Sequence, residues 1–164
     1  MKELFLATMI MAAVLAGCGG RSAFFDFTGS AAYAEAIAHT KSGAITDRFE
    51  SKALLSASYL NAIYPNRYSG DETFLVGLYI TNDFQREKSG INNPMYSLAL
   101  NDRKYIGVET VDKNDDLLKL MPMINRWSKY YIVRFEPSEK LDLTLSEADT
   151  NRSVTLSFSK ANAE

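Results

Sequence analysis

The chain predicts a mainly β domain, an antiparallel two-sheet sandwich behind one N-terminal helix. Three observations point to it. From residue 44 onward, apolar and polar residues alternate with period two in seven or eight short segments. Turn formers separate those segments at close intervals. The one stretch of strong helix propensity precedes them all. A run of strands with a single outlying helix packs as sheet on sheet, not as a parallel layer interleaved with helices.

The first 17 residues have the three parts of a secretory signal. Lys2 supplies a positive start, which Glu3 partly offsets, and Leu4 to Ala16 is apolar apart from Thr8. That run falls short of the roughly 20 residues a membrane-spanning helix needs. It closes in Leu15-Ala16-Gly17-Cys18, which resembles the lipobox of bacterial lipoproteins. Small residues fit there because the peptidase takes the chain extended, at the membrane face. The resemblance implies that residues 1–17 are removed and that the Cys18 thiol takes a diacylglycerol. Acylation of the new amino terminus, typically with palmitate, then supplies the second chain that stable anchoring requires. Gly19 follows in place of Asp, which by the sorting rule of enteric bacteria implies the outer membrane, with the domain facing periplasm or cell surface. Cys18 is the only cysteine, so no intramolecular disulfide competes for it.

Removing 17 of 164 residues leaves 147, enough for one domain with a substantial core. The side-chain balance of −2 carries no basic excess for nucleic acid. Residues 18–29 then read as a lipidated tether in which Phe24, Phe25 and Phe27 are too apolar for a fully solvated linker. They are expected to dock on the domain edge or near the lipid.

Residues 30–43 are the predicted helix. Ser30 can cap it, five alanines favour it, and Gly43 can end it. The sandwich is expected over 44–160. Ala44–Glu50 alternates weakly. Ser51–Asn61 alternates better, with Leu55, Ala57 and Tyr59 opposite Ser56 and Ser58. Glu72–Thr81 is apolar on both faces, the mark of a central strand. Met95–Leu100 and Lys104–Val111 read as a hairpin about Asn101-Asp102-Arg103, and Asp115–Arg126 as a short helix or turn. Ser128–Phe135 is a strand stopped by Pro137. Leu141–Leu145 and Arg152–Phe158 alternate most cleanly, with Leu141, Leu143 and Leu145 inward. An immunoglobulin-like arrangement is the nearest architecture, although its Cys…Trp…Cys hallmark is missing; a helix-covered β-barrel is the alternative.

Chemistry-bearing patterns are sparse. His39 is the only histidine, late on the predicted helix where a cation is favourable, and no Gly-x-Ser-x-Gly nucleophile turn is present. No catalytic residue is therefore assigned. Asp112, Asn114 and Asp116 fall at positions 1, 3 and 5 of a calcium loop, but Leu117 and Met123 stand where its Gly and Glu belong. A solvated capping turn is the better reading, and neither metal nor cofactor is expected. Asp149-Thr150-Asn151-Arg152-Ser153 is similar to the extended acceptor sequence of the oligosaccharyltransferase of some campylobacter-like bacteria, which makes Asn151 a candidate glycosylation site.

The expected function is a non-enzymatic binding or assembly module, held to a bacterial membrane through Cys18 and meeting an envelope protein partner. Tyr64, Tyr68, Phe84 and Arg86, in the loops 64–71 and 82–94, are the expected contact residues. A small-ligand carrier is the alternative, and a cell-wall hydrolase a more distant one.

Overall fold

A computed structural model describes residues 31–81, 83, 89–122 and 124–160. The expected signal peptide (residues 1–17), Cys18, the expected tether (residues 18–29), Phe84 and Arg86 lie outside the described residues.

Helix α1 spans Ala31–Ala38 and leads directly into β1, Thr40–Asp47. Strand β2 (Glu50–Tyr59) is followed by a helical turn, Leu60–Ile63, and then β3 (Glu72–Ile80). Strands β4 (Tyr96–Leu100) and β5 (Arg103–Lys104) form one hairpin, and β6 (Gly107–Val111) and β7 (Lys129–Phe135) another, with a 3₁₀ turn at Asp116–Leu120 between the latter pair. Strands β8 (Leu141–Glu147) and β9 (Ser153–Phe158) complete the chain. They make two antiparallel sheets, β1-β2-β3-β7-β6 and β5-β4-β8-β9. The expected sandwich is present, and neither sheet closes into a barrel. From β2 onward, the order β2-β3-β7-β6 against β9-β8-β4-β5 is that of strands A-B-E-D and G-F-C-C′ in an immunoglobulin-like domain. Strand β1 is an addition at the A edge.

The core lies where the two inner faces meet. Phe74 and Val76 of β3, Val133 and Phe135 of β7, and Leu141, Leu143 and Leu145 of β8 are each 1% exposed or less. The Phe74 ring meets Tyr59, Phe158 and Phe135 at 5.1, 5.2 and 6.0 Å between centroids. Aromatic and leucine packing thus fills the space that a disulfide and tryptophan occupy in antibody domains. The outer face of the larger sheet is covered too. Ala36 of α1, Leu60 and Ile63, and Leu117, Leu118 and Met121 pack there on Leu75 and Tyr130. Burial on both faces explains why β3 reads as a continuous apolar run.

Three sequence readings need correction. The helix ends at Ala38, so residues 40–43 are strand, not helix. Thr40 pairs with Ser58, and Thr40 Oγ1 donates to the Ala36 carbonyl at 2.5 Å, stopping the helix a turn early. Gly43 serves close packing instead of a helix end: an added Cβ there would meet Val154 Cγ2 of β9 at 2.5 Å. The segment 44–50 is not one strand, because the chain reverses at Arg48-Phe49. Lys104–Val111 also divides: β5 stays with β4, and after Ile106 the chain crosses to β7 in the other sheet.

A buried acid closes the end of the sandwich opposite the β1–β2 turn. Glu72, 3% exposed at the start of β3, accepts from Tyr59 Oη at 2.6 Å and from the Ser138 amide at 3.0 Å, and pairs with Lys160 at 2.9 Å. Burial raises its pKa, but those three partners together outweigh burial and hold it below the usual carboxylate value.

Candidate functional site

Four connections emerge together at one end of the sandwich, the end where antibody variable domains carry two of their binding loops. They are the β1–β2 turn, the β3–β4 connection, the β6–β7 segment and the β8–β9 turn. The segment 64–71 joins β2 to β3 at the opposite end.

The β1–β2 turn is the most unusual. Asp47 pairs with Glu50, leaving only Arg48 and Phe49 to reverse the chain. Both take the left-handed conformation, φ 47° and 74°, as a two-residue turn of this hand demands. Asn-Gly fits such a turn; a bulky ring does not. The Phe49 side chain is wholly exposed, at 107%. By contrast, the matching β4–β5 turn uses Asn101 and Asp102, which tolerate φ of 47° and 63°.

The β6–β7 segment is fixed from both sides. Asp115 Oδ1 accepts the Leu117 amide at 2.9 Å, and Asp112 Oδ1 accepts that of Asn114 at 2.9 Å. Of the near-calcium pattern, Asp112 therefore caps a turn, and Asp116 pairs with Lys119 at 2.7 Å. Farther on, the Asn125 amide donates to Tyr130 Oη at 2.7 Å, and Asn125 Oδ1 accepts from the Trp127 amide at 2.8 Å. This holds Trp127 and Ile124 outward, 71% and 57% exposed. The Arg126 guanidinium lies 5.4 Å from the indole centroid.

The described part of the β3–β4 connection is tied to the sheet. Asp83 accepts the Gly90 amide at 2.7 Å and pairs with Lys129 at 3.3 Å, and Lys129 Nζ also donates to Ser89 Oγ. Gly90 has φ 62° and sits where a side chain would strike the Tyr131 hydroxyl. The loop then presents Met95, which is 47% exposed. Beside it the β8–β9 turn is polar. Arg152 pairs with Glu147 at 2.6 Å and reaches across to Asp47 of the other sheet at 3.0 Å. Hydrogen bonding to Arg152 holds the Glu147 carboxyl below its ordinary pKa. A cleft of about 360 Å³ runs between Tyr79, Thr81, Asp83, Trp127 and Lys129.

Of the residues expected at a contact surface, Tyr64 and Tyr68 sit at the opposite end, half-buried against the outer cluster of Leu75 and Tyr130. Arg67 covers the Tyr68 ring at 5.3 Å, and the Tyr68 hydroxyl is buried without a hydrogen-bond partner among the described residues. Asn151 is exposed in the β8–β9 turn, two residues after Asp149 with φ 58°. His39 lies one residue beyond α1, its Nε2 3.5 Å from Glu35. The structure brings forward Phe49, Ile124 and Trp127, which pattern reading passed over. Phe49 hid inside an alternating run, and nothing local to Trp127 distinguishes an exposed ring from a core one.

Among the described residues no helix is long and apolar enough to cross a membrane. No family model, curated protein or solved structure matches this chain.

Proposed function

We propose that the protein is a lipid-anchored, non-enzymatic binding module of the bacterial envelope, held by Cys18 and making contact through the loop end of its sandwich. One observation carries the choice of surface. Of the seven large apolar side chains exposed among the described residues, Phe49, Met95 and Trp127 belong to the loop end, while Ile124 adjoins Asn125, which lies against residues 42–44 and 54–56 on the outer face of the larger sheet. Grouped exposed apolar residues mark contact surfaces, whereas scattered ones need no explanation. The packed sheet interface supports a surface binder over a carrier that would hold its ligand between the sheets.

The test has two arms. Cys18→Ser should abolish lipid labelling and membrane fractionation; a variant that still fractionates with membrane removes the anchor. A photo-crosslinker at position 49 or 127 should capture an envelope component in intact cells, and one at 64 should not. The reverse pattern would return the surface to the 64–71 loop. Asn151 stands ready for modification in its exposed turn. Equal intact masses for native protein and an Asn151→Gln variant, apart from the substitution itself, would remove that assignment.

A further inference from the structure

We infer that the open edge of β6 receives β6 of a second copy of this chain, antiparallel about a two-fold axis through Val108, so that the two larger sheets join into one. Pairing there needs neither the loop end nor an anchor at Cys18.

Strands β1 and β6 end the larger sheet, β5 and β9 the smaller. An edge strand carries unpaired amides and carbonyls that another strand can take up. Among the described residues only β6 adds a large exposed apolar side chain to such an edge. Val108 is 42% exposed, and Ile106, just before the strand, 53%. Val108 shares the inner face with Val133, which is fully buried, so the cover that the facing sheet gives elsewhere is missing here. A strand added beside β6 would supply it.

Charge complementarity selects the occupant and the register. Gly107 and Glu109 share the outer face with Arg134 and Ile132, their partners in β7. The Arg134 side chain folds across Gly107, where a Cβ would lie 2.7 Å from Nη2 and 3.0 Å from Nε. Glycine thus lets a guanidinium reach the edge. Its Nη1 makes only a long pair with Asp71, at 3.7 Å. Glu109 is exposed and makes no ion pair among the described residues. A two-fold through Val108 sets Gly107 of each copy against Glu109 of the other, which brings each carboxylate to an Arg134 guanidinium. On the other face the two Val108 side chains meet. Neighbouring registers fail. A two-fold through Gly107 brings the two Arg134 groups together, and one through Glu109 opposes the two carboxylates. One through Thr110 sets Val108 against Asp112.

The pairing closes on itself, because each copy presents the same edge, so it stops at two copies and does not propagate. Its ladder is short, with five residues of β6 on each side. The contact therefore falls at the small end of specific interfaces, and the dimer should be weak and concentration-dependent. The competing occupant is Phe25-Asp26-Phe27 of the same chain, which also sets an acid between apolar residues.

The protein is expressed from its full sequence with Cys18→Ser, which removes the one competing thiol, and its self-association is followed by sedimentation equilibrium. Association should stop at the dimer. Glu109→Arg and Arg134→Glu should each weaken it about tenfold or more, because both symmetric pairs become repulsive. Mixed together, the two variants should form heterodimers, since each supplies the charge that the other lacks. An unfolded variant could not imitate that recovery. In a second measurement, Val108→Cys should form an intermolecular disulfide, because the two copies of this position face each other across the two-fold. Thr110→Cys shares its face but lies roughly 13 Å from its counterpart in this register, too far to bridge. A chain that stays monomeric into the millimolar range and forms no disulfide through Val108→Cys overturns the pairing. A dimer indifferent to Glu109→Arg, or variants that stay apart when mixed, overturns the Arg134–Glu109 contact. Disulfides through Thr110→Cys that match those through Val108→Cys overturn the register. If a photo-crosslinker at position 108 captures residues 25–27 of its own chain, the edge is filled from within and the second copy is excluded.

Discussion

Phe49 holds a conformation that disfavours any residue with a Cβ, and it buries nothing in return. Left-handed geometry costs about 1–2 kcal/mol for an ordinary residue. Packing does not repay it, which points to a use for the ring outside the domain. Replacing Arg48-Phe49 by Asn-Gly keeps the turn and removes the strain. The paired variant should gain about 1–2 kcal/mol, seen as a thermal midpoint several degrees higher. A midpoint that falls would mean the wild-type turn is unstrained.

Among the elements, β1 shows most clearly how neighbours override local preference. Residues 40–43 follow an alanine-rich helix and could extend it, yet eight residues of ladder with β2 offer more than one further turn. Gly43 then lets β1 lie against β9 of the facing sheet. Gly43→Ala should destabilise by about 1–3 kcal/mol through overpacking against Val154. Adding Val154→Ala should recover part of that loss, a coupling that denaturant titration of the double-mutant cycle measures. Strictly additive losses would show that the two strands do not press on each other there. The short β5 illustrates the converse, since two residues of pairing are all the chain makes before it crosses sheets.

For the molecule as a whole, Glu72 ties together three regions far apart in sequence: the start of β3, the β7–β8 connection at Ser138, and the C-terminal Lys160. Its depressed pKa sets the sign of a pH effect. The unfolded chain takes up the proton first, at the ordinary glutamate pKa of about 4.3, so the contribution is fully present above that pH. It is lost as pH falls from there through the lower folded value. Stability measured by denaturant should therefore drop on acidification below about pH 4, and Glu72→Gln should flatten that limb. The same substitution should cost about 2–3 kcal/mol at neutral pH, because Tyr59 and Lys160 lose a charged acceptor in a site only 3% exposed. An unchanged acid limb in Glu72→Gln would move the effect to the surface pairs. Tyr59 also donates to this carboxylate, and burial is the larger cause of the rise in its own pKa, so it stays protonated throughout that range.

Period-two alternation by itself determined the sandwich, since half-buried strands admit apolar residues on one face only. It also placed β3 at the centre, because only a strand covered on both sides can be apolar on both. The resemblance of Leu15-Ala16-Gly17-Cys18 to a lipobox likewise rests on local sequence alone. Pairing had to be known before the helix end at Ala38, the turn at Arg48-Phe49 or the crossing after Ile106 could be assigned. Each depends on ladders and contacts made with distant residues, which overrule propensities worth a fraction of a kilocalorie per position. The loop end was the least legible feature. A phenylalanine, an isoleucine and a tryptophan look like core residues in a sequence, and only the tertiary arrangement leaves all three in water.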